Sequence, residues 1–125
     1  MTGVTFDAGA LIALDKNDRR IIALLTRAAE IGARVTIPAT VLAQAMRRPP
    51  RQARLSRLVR QPRTALVALD GADATQVGML LAASRTSDIA DAHVVICARR
   101  HAEPIVTSDP DDLRRLDRRT RLIIV

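Results

Sequence analysis

The sequence predicts a three-layer α/β/α sandwich with a mainly parallel central sheet. Short runs rich in Val, Ile and Leu alternate along the chain with longer segments of helical period, which is typical of parallel strands covered by helices on both faces. The chain has 125 residues, of which 48% are hydrophobic, and this suits one core. We therefore expect residues 1–125 to form a single domain.

Five strands are predicted from four- or five-residue apolar runs. They cover residues 3–6, 34–37, 65–69, 104–107 and 121–125. Seven helices are predicted between them, at 8–14, 18–31, 38–46, 51–60, 72–83, 87–100 and 110–117. Gly32 ends the second helix, Pro38 suits the first turn of the third, and the prolines of "RRPP" end that helix.

The composition limits the classes of function. The formal net charge is +7, and all but one of the 20 basic residues are Arg, so the chain should be attracted to polyanions. Phe6 is the only aromatic residue, which argues against stacking platforms for bases. A single cysteine, the absence of a signal-peptide pattern and the absence of a long apolar run favour a cytoplasmic protein without membrane spans.

Acidic residues follow two of the predicted strands and begin one helix. Asp7 follows the first strand, Asp109 follows the fourth, and Asp88 and Asp91 share the first turn of a helix. Sites in parallel sheets form beyond the carboxyl ends of the strands, so these acids should meet if strands one and four are neighbours. Clustered carboxylates stay ionised when a cation neutralises them, and oxygen ligands favour Mg²⁺ or Mn²⁺.

Helix capping is the alternative explanation of these acids. Asp88 with Asp91, and Asp109 with Asp112, match the N-cap and third positions of a helix. A capping carboxylate keeps a second oxygen, so the two interpretations are compatible. Capping does not account for Asp7, which favours a metal site.

Three stretches carry a resemblance to a known family: "TFDAGALIAL", "IPATVLAQAMR" and "DIADAHVVICARRHAEPIVTSDPDDLRRL". The chain resembles PIN-domain proteins along its whole length, and more narrowly the VapC-type ribonuclease toxins of bacterial toxin–antitoxin pairs. The resemblance implies hydrolysis of RNA phosphodiester bonds at a Mg²⁺ or Mn²⁺ site, with a cognate antitoxin as partner. It places the catalytic, metal-binding acids at Asp7, Asp91 and Asp109. Asp88 and Asp112 would be further metal ligands, with Thr107 in a supporting role.

Gln44 departs from the family pattern. The family commonly has Glu on the helix after strand two, and Gln keeps an acceptor oxygen but loses the charge. The sequence is therefore compatible with a site for one metal ion or for two. The alternative function is an attenuated or non-catalytic RNA-binding domain. We favour replacement of the missing Glu by Asp88 or Asp112, since these surplus acids would otherwise only add repulsion.

A row of arginines at a repeat of three, in and just before the predicted fourth helix, is the candidate RNA-binding surface. It comprises Arg48, Arg51, Arg54 and Arg57. A solvated helix is the alternative, and its apolar face is a candidate contact for a homodimer or for the antitoxin. His93 and Cys97 are expected to be structural. A phosphate-receiver domain is disfavoured because the only lysine, Lys16, is far from the late strands.

Overall fold

The structure is a computed structural model that describes residues 3–125, and its sheet is entirely parallel. The strands are β1 (Gly3–Phe6), β2 (Arg34–Pro38), β3 (Thr64–Val67), β4 (Ile105–Thr107) and β5 (Leu122–Ile124). Their order in the sheet is β3-β2-β1-β4-β5. This order confirms that β1 and β4 are neighbours. Because all strands run the same way, their carboxyl ends lie at one edge.

Seven α-helices connect the strands among residues 3–125. They are α1 (Ala8–Asp15), α2 (Arg19–Ile31), α3 (Ala39–Ala45), α4 (Ala53–Val59), α5 (Gly71–Ser84), α6 (Ile89–His101) and α7 (Pro110–Leu116). Helices α1, α2 and α4 form one packed group, and α5, α6 and α7 form another. Because crossovers between parallel strands are right-handed, the strand order puts the two groups on opposite faces of the sheet. The predicted three-layer α/β/α fold is confirmed.

The observed element bounds differ from the predicted ones by at most two residues, and two of these differences have a clear local cause. Pro38 ends β2 and occupies the N-cap of α3, because its backbone is extended rather than helical. The predicted helix 51–60 is divided into a 3-10 turn at Pro49–Arg51 and the shorter helix α4. Gln52 lies between them with a non-helical backbone, and its side chain accepts hydrogen bonds from the N–H groups of Arg47 and Arg48.

The pairing of β1 with β4 brings the carboxyl ends of these two strands together. Phe6 pairs with Val106 in the sheet, and the next backbone N–H, that of Asp7, donates to the Val106 carbonyl at 3.2 Å. Helix α6 contacts β1, β2 and β4, and its residues 92–98 are all buried. The buried residues of α6 thus hold in place the strands β1 and β4, which the acids Asp7 and Asp109 follow. Within residues 3–125, no helix is long and apolar enough to cross a membrane.

The opposite edge of the sheet holds a buried acid that the sequence did not indicate. Glu103 precedes β4 and accepts hydrogen bonds from the hydroxyls of Thr5 and Thr36 at 2.9 and 2.8 Å. Its other oxygen accepts from the Arg34 guanidinium at 2.9 Å. These bonds satisfy the carboxylate and join β1, β2 and β4 at the end of the sheet away from Asp7.

Candidate functional site

Asp7 stands between β1 and α1 and is 4% exposed. One carboxylate oxygen accepts a hydrogen bond from the Ala10 N–H at 2.8 Å, so Asp7 is the N-cap of α1. Our expectation that capping does not account for Asp7 was wrong. Burial raises the pKa of Asp7, and the charge of Asp109 acts in the same direction. The Thr107 hydroxyl and the Ala10 N–H oppose this shift in the pKa.

Asp88 and Asp91 occupy the first turn of α6. Asp88 is the N-cap, and its carboxylate accepts a hydrogen bond from the Asp91 N–H at 2.9 Å, as the capping interpretation predicts. Asp91 is half-buried, and its pKa is raised to about 7. Burial is the largest cause, followed by the negative charges of Asp88, Asp7, Asp112 and Asp109. Asp91 is therefore surrounded by carboxyl groups from three segments of the chain.

Asp109 occupies the N-cap position of α7, but its carboxylate makes no capping hydrogen bond. Instead, a hydrogen bond shared with the Asp112 carboxyl group raises the pKa of Asp109, with burial second. The backbone N–H of Asp109 donates to the Thr107 hydroxyl at 2.9 Å. Thr107 thus fixes the turn that carries Asp109. Capping explains Asp88 but not the Asp109 side chain.

We call Asp7, Asp88, Asp91, Asp109 and Asp112 the acidic edge. Neighbouring carboxyl groups contribute to the raised pKa values of Asp7, Asp91 and Asp109, so a cation between them would favour the ionised forms. All its donors are carboxylate oxygens, which suits Mg²⁺ or Mn²⁺. Within residues 3–125, no three of these acids bring one oxygen each within 4.8 Å of one another. This spacing agrees with mutual repulsion between carboxylates.

Gln44 lies close to the acidic edge. It is exposed on α3 and lines an open cleft of about 450 Å³ together with Thr40, Arg47 and Asp88. A neighbouring cleft of about 220 Å³ is lined by Asp88, Asp91, Asp112 and Arg115, among others. The structure therefore brings Gln44 beside one of the two acids that could replace the family's Glu.

Two arginines that the sequence analysis missed lie at these clefts. Arg47 lines the Gln44 cleft, and Arg115 lies 3.5 Å from the Asp112 carboxylate. Arg115 is three residues beyond Asp112 on the same helix, and this spacing could have indicated it. Nothing in the sequence distinguished Arg47 from the other arginines around it.

Two of the predicted RNA-binding arginines, Arg54 and Arg57, lie away from the acids. Arg48 and Arg51 are exposed around the 3-10 turn. Arg54 and Arg57 line a groove of about 440 Å³ between α2 and α4, which also includes Val35 and Thr64 near the starts of β2 and β3. The acids follow the carboxyl ends of strands in the same parallel sheet. Arg54 and Arg57 therefore lie near the amino ends of the strands, at the opposite end of the sheet from the acids.

His93 and Cys97 are buried on α6, as expected for structural residues. His93 contacts Thr40 through one ring nitrogen and Asp73 through the other, each at 2.9 Å. Asp73 also forms an ion pair with Arg100. The sequence did not single out Asp73, since its place three residues after Asp70 is typical of a helix first turn. The backbone N–H of Asp73 donates the capping hydrogen bond to Asp70 Oδ1.

The all-parallel sheet and the acidic edge define an α/β protein with carboxylates gathered beyond the ends of its central strands. Residues 4–119 match the PIN domain, and the chain therefore belongs to the PIN-domain family. The resemblance to PIN-domain proteins noted from the sequence is thereby confirmed. A comparison with curated proteins gave no match.

Three solved complexes contain chains of similar fold. The first is VapBC2 from Rickettsia felis bound to a DNA fragment from its promoter, with 14% identity, 98% of each chain covered and a TM-score of 0.68. The second is FitAB bound to an IR36 DNA fragment, with 14% identity, coverage of 97% and 94%, and a TM-score of 0.66. The third is FitAcB from Neisseria gonorrhoeae, with 15% identity, 96% coverage of each chain and a TM-score of 0.64.

Proposed function

We propose that the protein is a Mg²⁺- or Mn²⁺-dependent endoribonuclease that acts as the toxin of a toxin–antitoxin pair. The observation that carries this proposal is that Asp7 and Asp109 follow the ends of the neighbouring strands β1 and β4. The surroundings of Asp91 support it, because burial and four nearby carboxyl groups raise the pKa of Asp91 to about 7. A site of this kind is costly without a cation and becomes favourable with one. Membership of the PIN-domain family supports the assignment to a nuclease.

Asp7, Asp91 and Asp109 would hold the metal ion, with Asp88 and Asp112 as further ligands. When bound, the cation supplies an activated water and neutralises charge on the RNA phosphate. The Asp88 cap fixes the turn that carries Asp91, and Thr107 fixes the turn that carries Asp109. No nucleophilic side chain is needed, which agrees with the burial of Cys97.

We propose that the RNA backbone is held by arginines outside the acidic edge. Arg47 and Arg115 line clefts beside the acids and suit the phosphates nearest to the cleaved bond. Arg48 and Arg51, which are exposed around the 3-10 turn, would also contact phosphates. Arg54 and Arg57 would contact more distant phosphates, because they lie away from the acids. A substrate that reaches both groups must extend well beyond a dinucleotide.

We propose a cognate antitoxin, a homodimer and a cytoplasmic location as the setting of this activity. The solved complexes of similar fold include VapBC2 and FitAB, which supports an antitoxin partner. The groove between α2 and α4 has an apolar lining that includes Leu25 and Leu58, with Arg54 and Arg57 beside it. An amphipathic helix with acidic residues would complement both features, and we propose that the antitoxin supplies one.

RNA cleavage by the purified protein tests the proposed activity. Cleavage should require Mg²⁺ or Mn²⁺ and should fall roughly 100-fold or more in Asp7→Asn, Asp91→Asn and Asp109→Asn. Asn also caps helices, so these variants remove charge while preserving the Ala10 hydrogen bond at Asp7. Asp18→Asn, at the N-cap of α2, is the matched control and should cleave normally. Cleavage that persists in all three variants would reject the proposed site.

A non-catalytic RNA-binding domain is the second candidate function. It is favoured by Gln44, whose uncharged amide stands beside Asp88 where the family commonly has a carboxylate. Under this alternative, wild-type protein binds RNA but does not cleave it at saturating Mn²⁺. The same cleavage assay, with an RNA-binding measurement on the same preparation, separates the two functions.

A further inference from the structure

A second group of potential metal ligands lies inside the protein, away from the acidic edge. Asp73, His93 and Cys97 are all buried, and each offers one ligand atom, with these atoms all within 4.8 Å of one another. His93 and Cys97 are four residues apart on α6 and therefore share a helix face. Asp73 faces them from α5. The group combines a carboxylate, an imidazole and a thiol.

Each of the two polar ligands is already oriented by a further side chain. Arg100 pairs with Oδ1 of Asp73 and leaves Oδ2 facing His93 Nε2 at 2.9 Å. Thr40 Oγ1 contacts the other ring nitrogen of His93, Nδ1, also at 2.9 Å. Outer hydrogen bonds of this kind hold the ligands of metal sites in position.

The surroundings of Asp73, His93 and Cys97 also indicate which of their atoms carry protons. The bond from Arg100 is the largest cause of the lowered pKa of Asp73, so its carboxylate is ionised and only accepts. His93 Nε2 therefore donates to Asp73 Oδ2, and in the tautomer with this single proton Nδ1 accepts from the Thr40 hydroxyl. Burial raises the pKa of Cys97 to about 12, so the thiol is protonated in the absence of a metal.

We propose that Asp73 Oδ2, His93 Nε2 and Cys97 Sγ form a transition-metal site that takes Zn²⁺ or a similar ion such as Co²⁺. Sulfur and imidazole donors select these ions over Mg²⁺ and Mn²⁺, which suit the acidic edge. Three protein ligands leave one position of a tetrahedral zinc open. The proposal is independent of the proposed nuclease activity, because none of its ligands belongs to the acidic edge.

Binding of the metal ion releases one proton from the site to solvent. The Cys97 thiol loses its proton to solvent as sulfur bonds to the metal. The His93 proton moves from Nε2 to Nδ1, which then donates to Thr40 Oγ1, and a hydroxyl can accept as readily as it donates. Asp73 keeps its pairing with Arg100 through Oδ1. The bound ion joins α5 to α6, so it should stabilise the fold.

Cobalt absorption tests the site directly. Untagged, chelator-treated protein should gain one equivalent of a sulfur-to-cobalt charge-transfer band in the near ultraviolet, and Zn²⁺ should remove it. Cys97 is the only cysteine, so such a band identifies its sulfur as a ligand. Asp7→Asn should keep the band, because Asp7 belongs to the acidic edge. Zn²⁺ should also raise the melting temperature of wild type more than that of Cys97→Ala.

Wild-type protein without this band at excess Co²⁺ would overturn the proposal and leave the group as a hydrogen-bonded part of the core. This measurement does not depend on whether any variant folds. A band of unchanged intensity and affinity in both Asp73→Asn and His93→Gln would also overturn the proposed ligand set. Nuclease activity enters none of these outcomes, so failure of the proposed function would leave the test intact.

Discussion

The Asp88 carboxylate accepts the Asp91 backbone N–H at 2.9 Å, and its charge follows burial as the second largest cause of the raised Asp91 pKa. One side chain thus stabilises the start of α6 and makes ionisation of its neighbour more costly. This relationship shows how capping and metal binding can use the same acid. A bound cation would offset the cost of ionising Asp91, and the capping hydrogen bond to Asp88 would remain.

Asp88→Asn should lower the pKa of Asp91 from its value of about 7, because Asn keeps the cap but carries no charge. Carboxyl NMR titration in chelator measures this pKa. Asp18→Asn removes a capping charge from the start of α2 and should leave the Asp91 pKa unchanged. An equal pKa in wild type and Asp88→Asn would contradict the direct charge effect.

The protein without metal should lose stability as the pH rises from about 4 to about 7. The folded pKa of Asp91, about 7, lies above its ordinary value of 3.8, so the folded state binds more protons than the unfolded state in this window. The loss should be on the order of 2 kcal/mol after solvent screening at this half-buried carboxyl group. Urea unfolding at several pH values, in chelator, measures it.

Asp91→Asn should flatten that pH dependence, and saturating Mn²⁺ should suppress it in wild type. Asp7 has a pKa raised by burial, so some slope should remain in the Asp91 variant. A wild-type stability that increases between pH 5 and 7 in chelator would contradict the prediction.

Gln44→Glu should leave the metal dependence of cleavage unchanged, because Asp88 already supplies a carboxylate to the cleft that Gln44 lines. Asp88→Asn or Asp112→Asn should shift the Mn²⁺ titration to higher concentration, by roughly 10-fold. Cleavage measured against Mn²⁺ concentration distinguishes these variants. A shift of the Gln44→Glu curve to lower concentration would instead indicate an attenuated site that lacks the family's Glu.

Replacement of Arg51, Arg54 and Arg57 by Ala should weaken RNA binding and reduce the slope of log affinity against log salt. The reduction should be about 2, since each phosphate contact with a single strand contributes roughly 0.7. Replacement of Arg19, Arg20 and Arg27 on α2 removes the same charge and is the matched control. Equal slopes in the two triple variants would assign the effect to net charge alone.

The sequence by itself determined the secondary structure, the fold class and the positions of the acids at the ends of strands and starts of helices. Apolar runs and helical periods depend on neighbouring residues, so they can be read along the chain. Gly32 ends α2 and Asp88 caps α6, as local rules require. Local rules also predicted a cap at Asp109, although its side chain contacts Asp112 instead.

Tertiary structure decided which of these residues meet. The strand order places β1 beside β4, and this pairing brings Asp7 to Asp109 across about 100 residues of chain. The break at Gln52 and the course of α4 carry Arg54 and Arg57 to the opposite edge of the sheet. Asp73, His93 and Cys97 meet because α5 packs on α6. Contacts between distant residues depend on packing of whole elements, which no local pattern in the sequence specifies.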